Sequence, residues 1–177
     1  MAKALMIVGT GSDVGKSMVT TAFCRYFATK GVSVAPFKAQ NMALNSYVTI
    51  DGKEIGRAQG LQAEAAGILA AAEMNPVLLK PSQIHTSQVV VLGKPMAEMN
   101  FREYRDTKYE YLKEMIIHSL NQLQEQFDLI VIEGAGSPVE MNLKDRDLVN
   151  MQVAEWADAD VILVADIDRG GVFAQVV

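Results

Sequence analysis

The sequence predicts an α/β fold, a mostly parallel sheet flanked by helices, and three observations predict it. Short apolar runs alternate with segments of helical spacing along the chain. That order builds parallel β-α-β units with right-handed crossovers. A glycine-rich loop joins the first apolar run to the first helical segment. The chemically varied loops, residues 9–17, 38–52, 133–147 and 166–171, lie at the carboxyl ends of predicted strands. Ligands of such sheets bind there.

Each element has its own justification. Residues 4–8 (ALMIV) are a short apolar run stopped by Gly9, the mark of a strand buried on both faces. Residues 17–30 follow helical spacing, with Val19, Ala22, Phe23, Tyr26 and Phe27 on one stripe and Gly31 as the stop. Residues 32–37 (VSVAPF) form the next strand, and Pro36, lacking an N–H, suits its end or a sheet edge. Residues 38–52 are polar, without a clear period, and are expected to be a long functional loop. The Ala-rich stretch 56–72 is predicted helical, broken at Asn75-Pro76. Residues 89–92 (VVVL) form a strand ended by Gly93.

A long helix is expected over 102–126, burying Leu112, Met115, Ile116, Ser119, Leu120 and Leu123 and leaving Lys113 and Glu114 outside. Residues 129–132 (LIVI) form a buried strand, 148–157 a helix, and 161–165 (VILVA) a further strand. The chain stops at Val177 inside the first turn of another helix, so a longer protein is expected.

Composition narrows the function. The 177 residues carry a net charge of −5 and are 50% hydrophobic, a globular balance that argues against disorder. An acidic chain does not suit general nucleic-acid binding or a polybasic membrane contact. No apolar run reaches the length of about 20 residues that crosses a bilayer, and no signal-peptide pattern precedes Gly9. Cys24 stands alone, which fits a reducing cytoplasm. Its place in a helix suggests a buried thiol rather than a nucleophile. His85 and His118 lack metal-ligand spacing. Trp156 and the ten methionines are expected to fill the core.

The first loop reads Gly9-Thr10-Gly11-Ser12-Asp13-Val14-Gly15-Lys16-Ser17. It has the Gly-Lys-Ser half of a phosphate loop, with Thr10 at the first glycine position and Gly9 and Gly11 flanking it. Small residues let backbone N–H groups turn onto phosphate oxygens, and the helix start adds a positive dipole end. Gly11, Ser12, Asp13, Val14, Gly15, Lys16 and Ser17 are therefore the predicted nucleotide-binding residues. Lys16 supplies charge for the outer phosphates, and the Ser17 hydroxyl can hold Mg²⁺. The bland alternative is a glycine-rich turn with a solvated lysine.

Glu133 ends a predicted strand, where a carboxylate reaches Mg²⁺ directly or through water. The alternative is a strand-end carboxylate facing solvent. Lys38 ends the second strand and should project over the same rim, where it would neutralise phosphoryl or carboxylate charge, unless it is an ordinary surface lysine. Asp145, Arg146 and Asp147 would orient a substrate or nucleophile, or Asp147 simply caps the next helix. Asp166, Asp168 and Arg169 pose the same choice.

Several stretches together resemble the cobyric acid synthase family, glutamine-dependent amidotransferases of cobalamin synthesis. They are residues 9–17 (GTGSDVGKS), 35–46 (APFKAQNMALNS), 52–59 (GKEIGRAQ), 62–67 (QAEAAG), 74–81 (MNPVLLKP), 133–147 (EGAGSPVEMNLKDRD) and 161–173 (VILVADIDRGGVF). The resemblance implies a P-loop NTPase fold of the dethiobiotin-synthetase-like type, with ATP and Mg²⁺ as cofactors. It implies that 1–177 is the synthetase domain, partnered by a C-terminal glutaminase domain whose cysteine nucleophile this sequence lacks. The implied reaction amidates the b, d, e and g carboxylates of adenosylcobyrinic acid a,c-diamide through an acyl phosphate. Lys16, Lys38 and Asp145 are then the catalytic set, and Ser17 and Glu133 hold the metal. Gln40, Asn41, Asn45 and Asp147 face the corrinoid. Dethiobiotin synthetase and cobyrinic acid a,c-diamide synthase are the alternative ligases. A partition-type ATPase switch is the alternative of another class, and it would carry an additional lysine early in the loop, where Gly9, Thr10, Gly11 and Ser12 stand.

Overall fold

The computed structural model of the chain describes residues 2–83, 86–100, 108–139, 147–168 and 170–176. Its centre is a four-stranded, all-parallel sheet of β1 (Lys3–Gly9), β2 (Val34–Phe37), β9 (Leu129–Glu133) and β10 (Ala159–Val164), in the order β10-β1-β9-β2. The apolar runs fold this way because both sheet faces are covered. Met6, Val8, Phe37, Ile130 and Ile132 face one side, and Ile7, Val34 and Val131 the other. Pro36 lies in β2, an edge strand, where a missing N–H leaves no ladder bond unmade.

Helix α1 (Lys16–Thr29) covers the second face, and α3 (Tyr109–Gln126) packs into the core of the first. On α3 the expected stripe is in place: Leu112, Ile116, Ser119, Leu120 and Leu123 are buried, Met115 is half-buried and Glu114 exposed. Lys113 is half-buried rather than outside, because its ammonium lies over the Trp156 ring, 5.8 Å from the ring centre. The predicted start at 102 lies outside the described residues. On α1 the fully buried line is Lys16, Thr20 and Cys24, flanked by Val19, Phe23 and Phe27, whereas Ala22 and Tyr26 are exposed. The stripe is rotated from the expected one because Lys16 and Thr20 turn inward, and a reading by hydrophobicity alone passes over both.

The middle of the chain departs from a β-α-β repeat. The segment 38–52 is no featureless loop. It holds β3 (Gln40–Met42) and β4 (Ser46–Val48), and β4 pairs antiparallel with β5 (Glu54–Gly56). Helix α2 (Arg57–Ala66) stops well short of residue 72, because Gly67 takes the left-handed conformation at φ 76 and donates to the Glu64 carbonyl. β6 (Val77–Gln83), β7 (Thr86–Val91) and β8 (Lys94–Asn100) form antiparallel hairpins, with β3 added parallel to β6. The β7–β8 turn is Leu92-Gly93, both at positive φ, the two-residue geometry of a tight hairpin. Helix α4 (Met151–Ala157) precedes β10, and α5 (Val172–Val176) follows it. The methionines divide: Met6 and Met74 are buried, while Met18, Met42 and Met151 are exposed.

Candidate active site at the carboxyl rim of the parallel sheet

Three strand ends meet at one rim. β1 and β9 are adjacent, with Ile7 opposite Glu133, and β2 pairs with β9 so that Phe37 lies opposite Ile132. The loop after β1, Lys38 after β2 and Glu133 at the end of β9 therefore converge, as the crevice rule for parallel sheets requires.

The loop between β1 and α1 is built by conformation. Asp13 (φ 59) and Gly15 (φ 102) are both left-handed, and such turns create anion-binding concavities lined by backbone N–H groups. Gly15 is the N-cap of α1 and no side chain caps that end. A Cβ at Gly9 would lie 2.6 Å from Val14 Cγ2, so the closed loop requires glycine there. A Cβ at Gly11 would meet nothing within 4 Å. The space beside Gly11 is therefore open. Ser12 and Asp13 are exposed at its lip.

Lys16 lies beneath the loop, 6% exposed. Its Nζ donates to the Gly11 carbonyl at 2.5 Å and to the Gly136 carbonyl at 3.0 Å, joining the phosphate loop to the segment after β9. Burial holds its ammonium below the usual lysine range. Lys38 adds to that, and Glu133 and Asp13 oppose it.

Glu133 is the hub. It is 1% exposed, so it does not face solvent. Its Oε1 accepts from Lys38 Nζ at 2.6 Å and from Ser17 Oγ at 2.8 Å. Its Oε2 accepts from Gln62 Nε2 at 2.6 Å and Gln59 Nε2 at 3.4 Å. Lys38 is buried and is no surface lysine. A buried charge pair persists only when its remaining lone pairs are satisfied, and here four donors share the carboxylate.

Of the predicted residues, Lys16, Ser17, Lys38 and Glu133 come together. Asn41 joins them indirectly, donating to Gln59 Oε1 at 2.9 Å. Gln40 starts β3 half-buried, and Asn45 is exposed. Asp147 Oδ1 accepts from the N–H groups of Val149 and Asn150, both at 2.8 Å. These bonds order the turn just ahead of the next helix, whose N-cap is Asn150. Asp145, Arg146 and Arg169 lie outside the described residues. Asp166 accepts from the Asp168 N–H at 2.8 Å. Cys24 is fully buried and its thiol is pushed up to about 12 by that burial, which removes it as a nucleophile.

Reading the sequence missed four amides. Gln59 and Gln62 reach Glu133. Asn150 bonds both the N–H and the carbonyl of Ala135, at 3.1 and 2.7 Å, and fixes the loop after β9. Asn75 donates to the Lys38 carbonyl at 2.9 Å. The available signal was two glutamines three apart in an Ala-rich helix, since polar residues on an otherwise small-residue face need partners.

Among the described residues no group of three or more His, Cys, Asp or Glu side chains could hold a metal by itself. A Mg²⁺ site does not need one, because Mg²⁺ takes one or two protein oxygens and completes its shell with phosphates and water. The Ser17 hydroxyl and Glu133 carboxylate are such oxygens, and they lie beside an open anion cradle. The donor set fits Mg²⁺ bound with a nucleoside triphosphate. No helix among the described residues is long and apolar enough to cross a membrane.

The CobQ/CobB/MinD/ParA nucleotide binding domain family matches residues 5–177. The cobyric acid synthase of Desulforamulus reducens is 62% identical over 177 residues, covering 100% of this chain and 35% of that protein. That of a Geobacillus species is 60% identical over 179 aligned positions, covering 100% of this chain and 36% of that protein. The chain thus spans about a third of the length of these curated relatives. Among solved structures, the signal recognition particle receptor FtsY of Elizabethkingia anophelis superposes with a TM-score of 0.56 at 16% identity, over 99% of this chain and 46% of FtsY. That likeness concerns the fold alone.

Proposed function

The chain belongs to the CobQ/CobB/MinD/ParA nucleotide binding domain family, and from that premise we propose that it is the ATP-dependent amide-ligase domain of a cobyric acid synthase. The observation that carries the reading is the convergence of Lys16, Ser17, Lys38 and Glu133 on one rim beside an open phosphate cradle. The choice of acid rests on the resemblance of residues 35–46 and 133–147 and on about 60% identity to cobyric acid synthases. The substrate is then adenosylcobyrinic acid a,c-diamide, amidated at its b, d, e and g carboxylates. Ammonia comes from a glutaminase domain of the complete protein.

The chemistry follows from the charge arrangement. A carboxylate is a poor electrophile for ammonia. An oxygen of the substrate carboxylate attacks the γ-phosphorus of ATP, the bond to the β–γ bridging oxygen breaks, and ADP leaves. Ammonia attacks the acyl carbon of the resulting acyl phosphate. Inorganic phosphate departs with the C–O bond electrons, and the nitrogen loses a proton to give the amide. Lys16 and Lys38 are fixed cations where negative charge builds on the transferring group. Backbone N–H groups of residues 11–15 hold the phosphate chain, and Ser17 and Glu133 would hold Mg²⁺. Bound there, Mg²⁺ would neutralise phosphate charge. Asp145 completes the catalytic set, and Gln40, Asn41, Asn45 and Asp147 face the corrinoid.

The test is to incubate the chain with ATP, Mg²⁺, ammonia and each candidate acid while following ADP. Release that depends on the corrinoid acid is expected, and Lys16→Ala lowers its rate by roughly 10²- to 10³-fold. ADP release only with a biotin precursor, or ATP-driven dimerisation with no acid requirement, would replace this assignment.

A further inference from the structure

Gln59 and Gln62 have no part in the phosphoryl chemistry described above, yet both are buried without measurable exposure in the middle of the site. They lie one helical turn apart on α2 and share a face. Buried amides persist only where their groups are bonded, and the bonding here has one direction. Asn41 Nδ2 donates to Gln59 Oε1 at 2.9 Å, which turns the Gln59 amide nitrogen toward Gln62 Oε1 at 3.3 Å and Glu133 Oε2 at 3.4 Å. With its oxygen accepting, Gln62 points its own nitrogen at Glu133 Oε2, 2.6 Å away. A chain of amides thus runs from β3 to the carboxylate. Gly56 makes room for it, because a Cβ there would collide with Asn41 Nδ2 and lie 2.6 Å from Gln59 Oε1.

We propose that Gln59 and Gln62 are positioning residues that hold Glu133 by Oε2 and so keep Oε1 directed at Ser17 and the metal position. The proposal rests on the reading of Glu133 as a metal-holding group. Neutral donors suit that task. An amide fixes the orientation of the carboxylate without cancelling the negative charge that attracts a cation, as a second lysine would. Groups that orient a metal-holding side chain are commonly worth 10–100-fold in metal affinity or rate. The chain of amides also begins at Asn41, inside the segment expected to face the acid, so ordering that segment and ordering Glu133 share one set of hydrogen bonds.

The experiment compares wild type, Gln62→Met and Glu133→Gln. Methionine keeps the length and removes the donor. Three quantities are read: nucleotide Kd with and without Mg²⁺, kcat against KM for ATP, and the thermal midpoint. For Gln62→Met the expected result is unchanged affinity for metal-free nucleotide, with the Mg²⁺-dependent gain in affinity and kcat reduced about 10- to 100-fold. Glu133→Gln abolishes the Mg²⁺-dependent gain. If Glu133→Gln does so and a folded Gln62→Met responds to Mg²⁺ as wild type does, the positioning role is refuted while the metal reading stands. If neither variant alters the Mg²⁺ response, the metal reading fails and takes this inference with it. Should Gln62→Met not fold, Gln59→Met replaces it in the same comparison, and its Mg²⁺ response supports or refutes the positioning role in the same way.

Discussion

Lys16 shows how one residue links stability to function. Its ammonium is held below the ordinary 10.5 by burial first and by Lys38 second. The unfolded chain keeps that proton to higher pH than the folded one. Between the lowered folded value and 10.5 the unfolded state therefore binds more protons, and Lys16's contribution to stability rises with pH across that window. On the proposed reading nucleotide binding has the opposite sign, since the phosphate oxygens would be held by the charged lysine. Affinity for ATP is expected to fall as pH rises through the same window, while a Lys16→Arg variant, charged throughout, loses that alkaline limb. Titrating the nucleotide Kd against pH for both proteins checks this, and a limb retained in the arginine variant would assign it to another group. The Gly-Lys-Ser spacing alone singled out Lys16 and Ser17 as candidates. The Gly136 carbonyl that Lys16 also bonds lies 120 residues away in sequence, so no local pattern could reveal it.

At the scale of elements, the site depends on how β9 hands over to α4. Asn150, the residue before α4, bonds Ala135 through both its amide oxygen and its amide nitrogen. It also packs against Gly134, where a Cβ would collide with its Oδ1 and come within 3.3 Å of the Ile7 carbonyl. Gly134→Ala is expected to destabilise the chain by about 1–3 kcal/mol through overpacking. It should also weaken nucleotide binding, because the displaced loop carries the Gly136 carbonyl that anchors Lys16. Denaturant midpoint and nucleotide Kd are the measurements, and a normal Kd in the destabilised variant would separate the loop from the cradle. The strand β9 and its terminal carboxylate were legible as LIVI followed by Glu133. Asn150 was not, because a polar residue before a helix reads as an ordinary start signal.

For the whole molecule, Asn75 ties separate layers together. It is 1% exposed. Its amide donates to the carbonyls of Lys38 and Val77, at 2.9 and 3.0 Å, and its oxygen accepts from the Gly56 N–H at 2.8 Å. One side chain thus joins the end of β2, the start of β6 and the entry to α2. Asn75→Ala strands buried backbone groups at about 1–3 kcal/mol each. A shift of roughly 2–4 °C per kcal/mol for a chain of this size makes the loss readable by calorimetry. Lys38 is expected to lose its placement as well, so turnover should fall further than thermal stability alone explains. Activity that simply tracks the folded fraction would contradict that link. In the sequence Asn75 stood only as a helix breaker before Pro76.

What the sequence determined by itself rests on neighbours along the chain. Apolar runs fixed the parallel strands β1, β2, β9 and β10, helical periodicity fixed α3, and the glycine spacing fixed the cradle. The antiparallel layer β6-β7-β8 and the amide hub around Glu133 were decided only by tertiary structure. Their patterns are weak locally. A Pro-containing strand such as β6 resembles a loop until a hairpin partner completes its hydrogen bonds. Buried glutamines resemble surface residues until a carboxylate some seventy residues away in sequence accepts their hydrogen bonds. Hydrogen bonds that close long loops leave no periodic trace, so only the folded chain reveals which polar side chains are satisfied inside it.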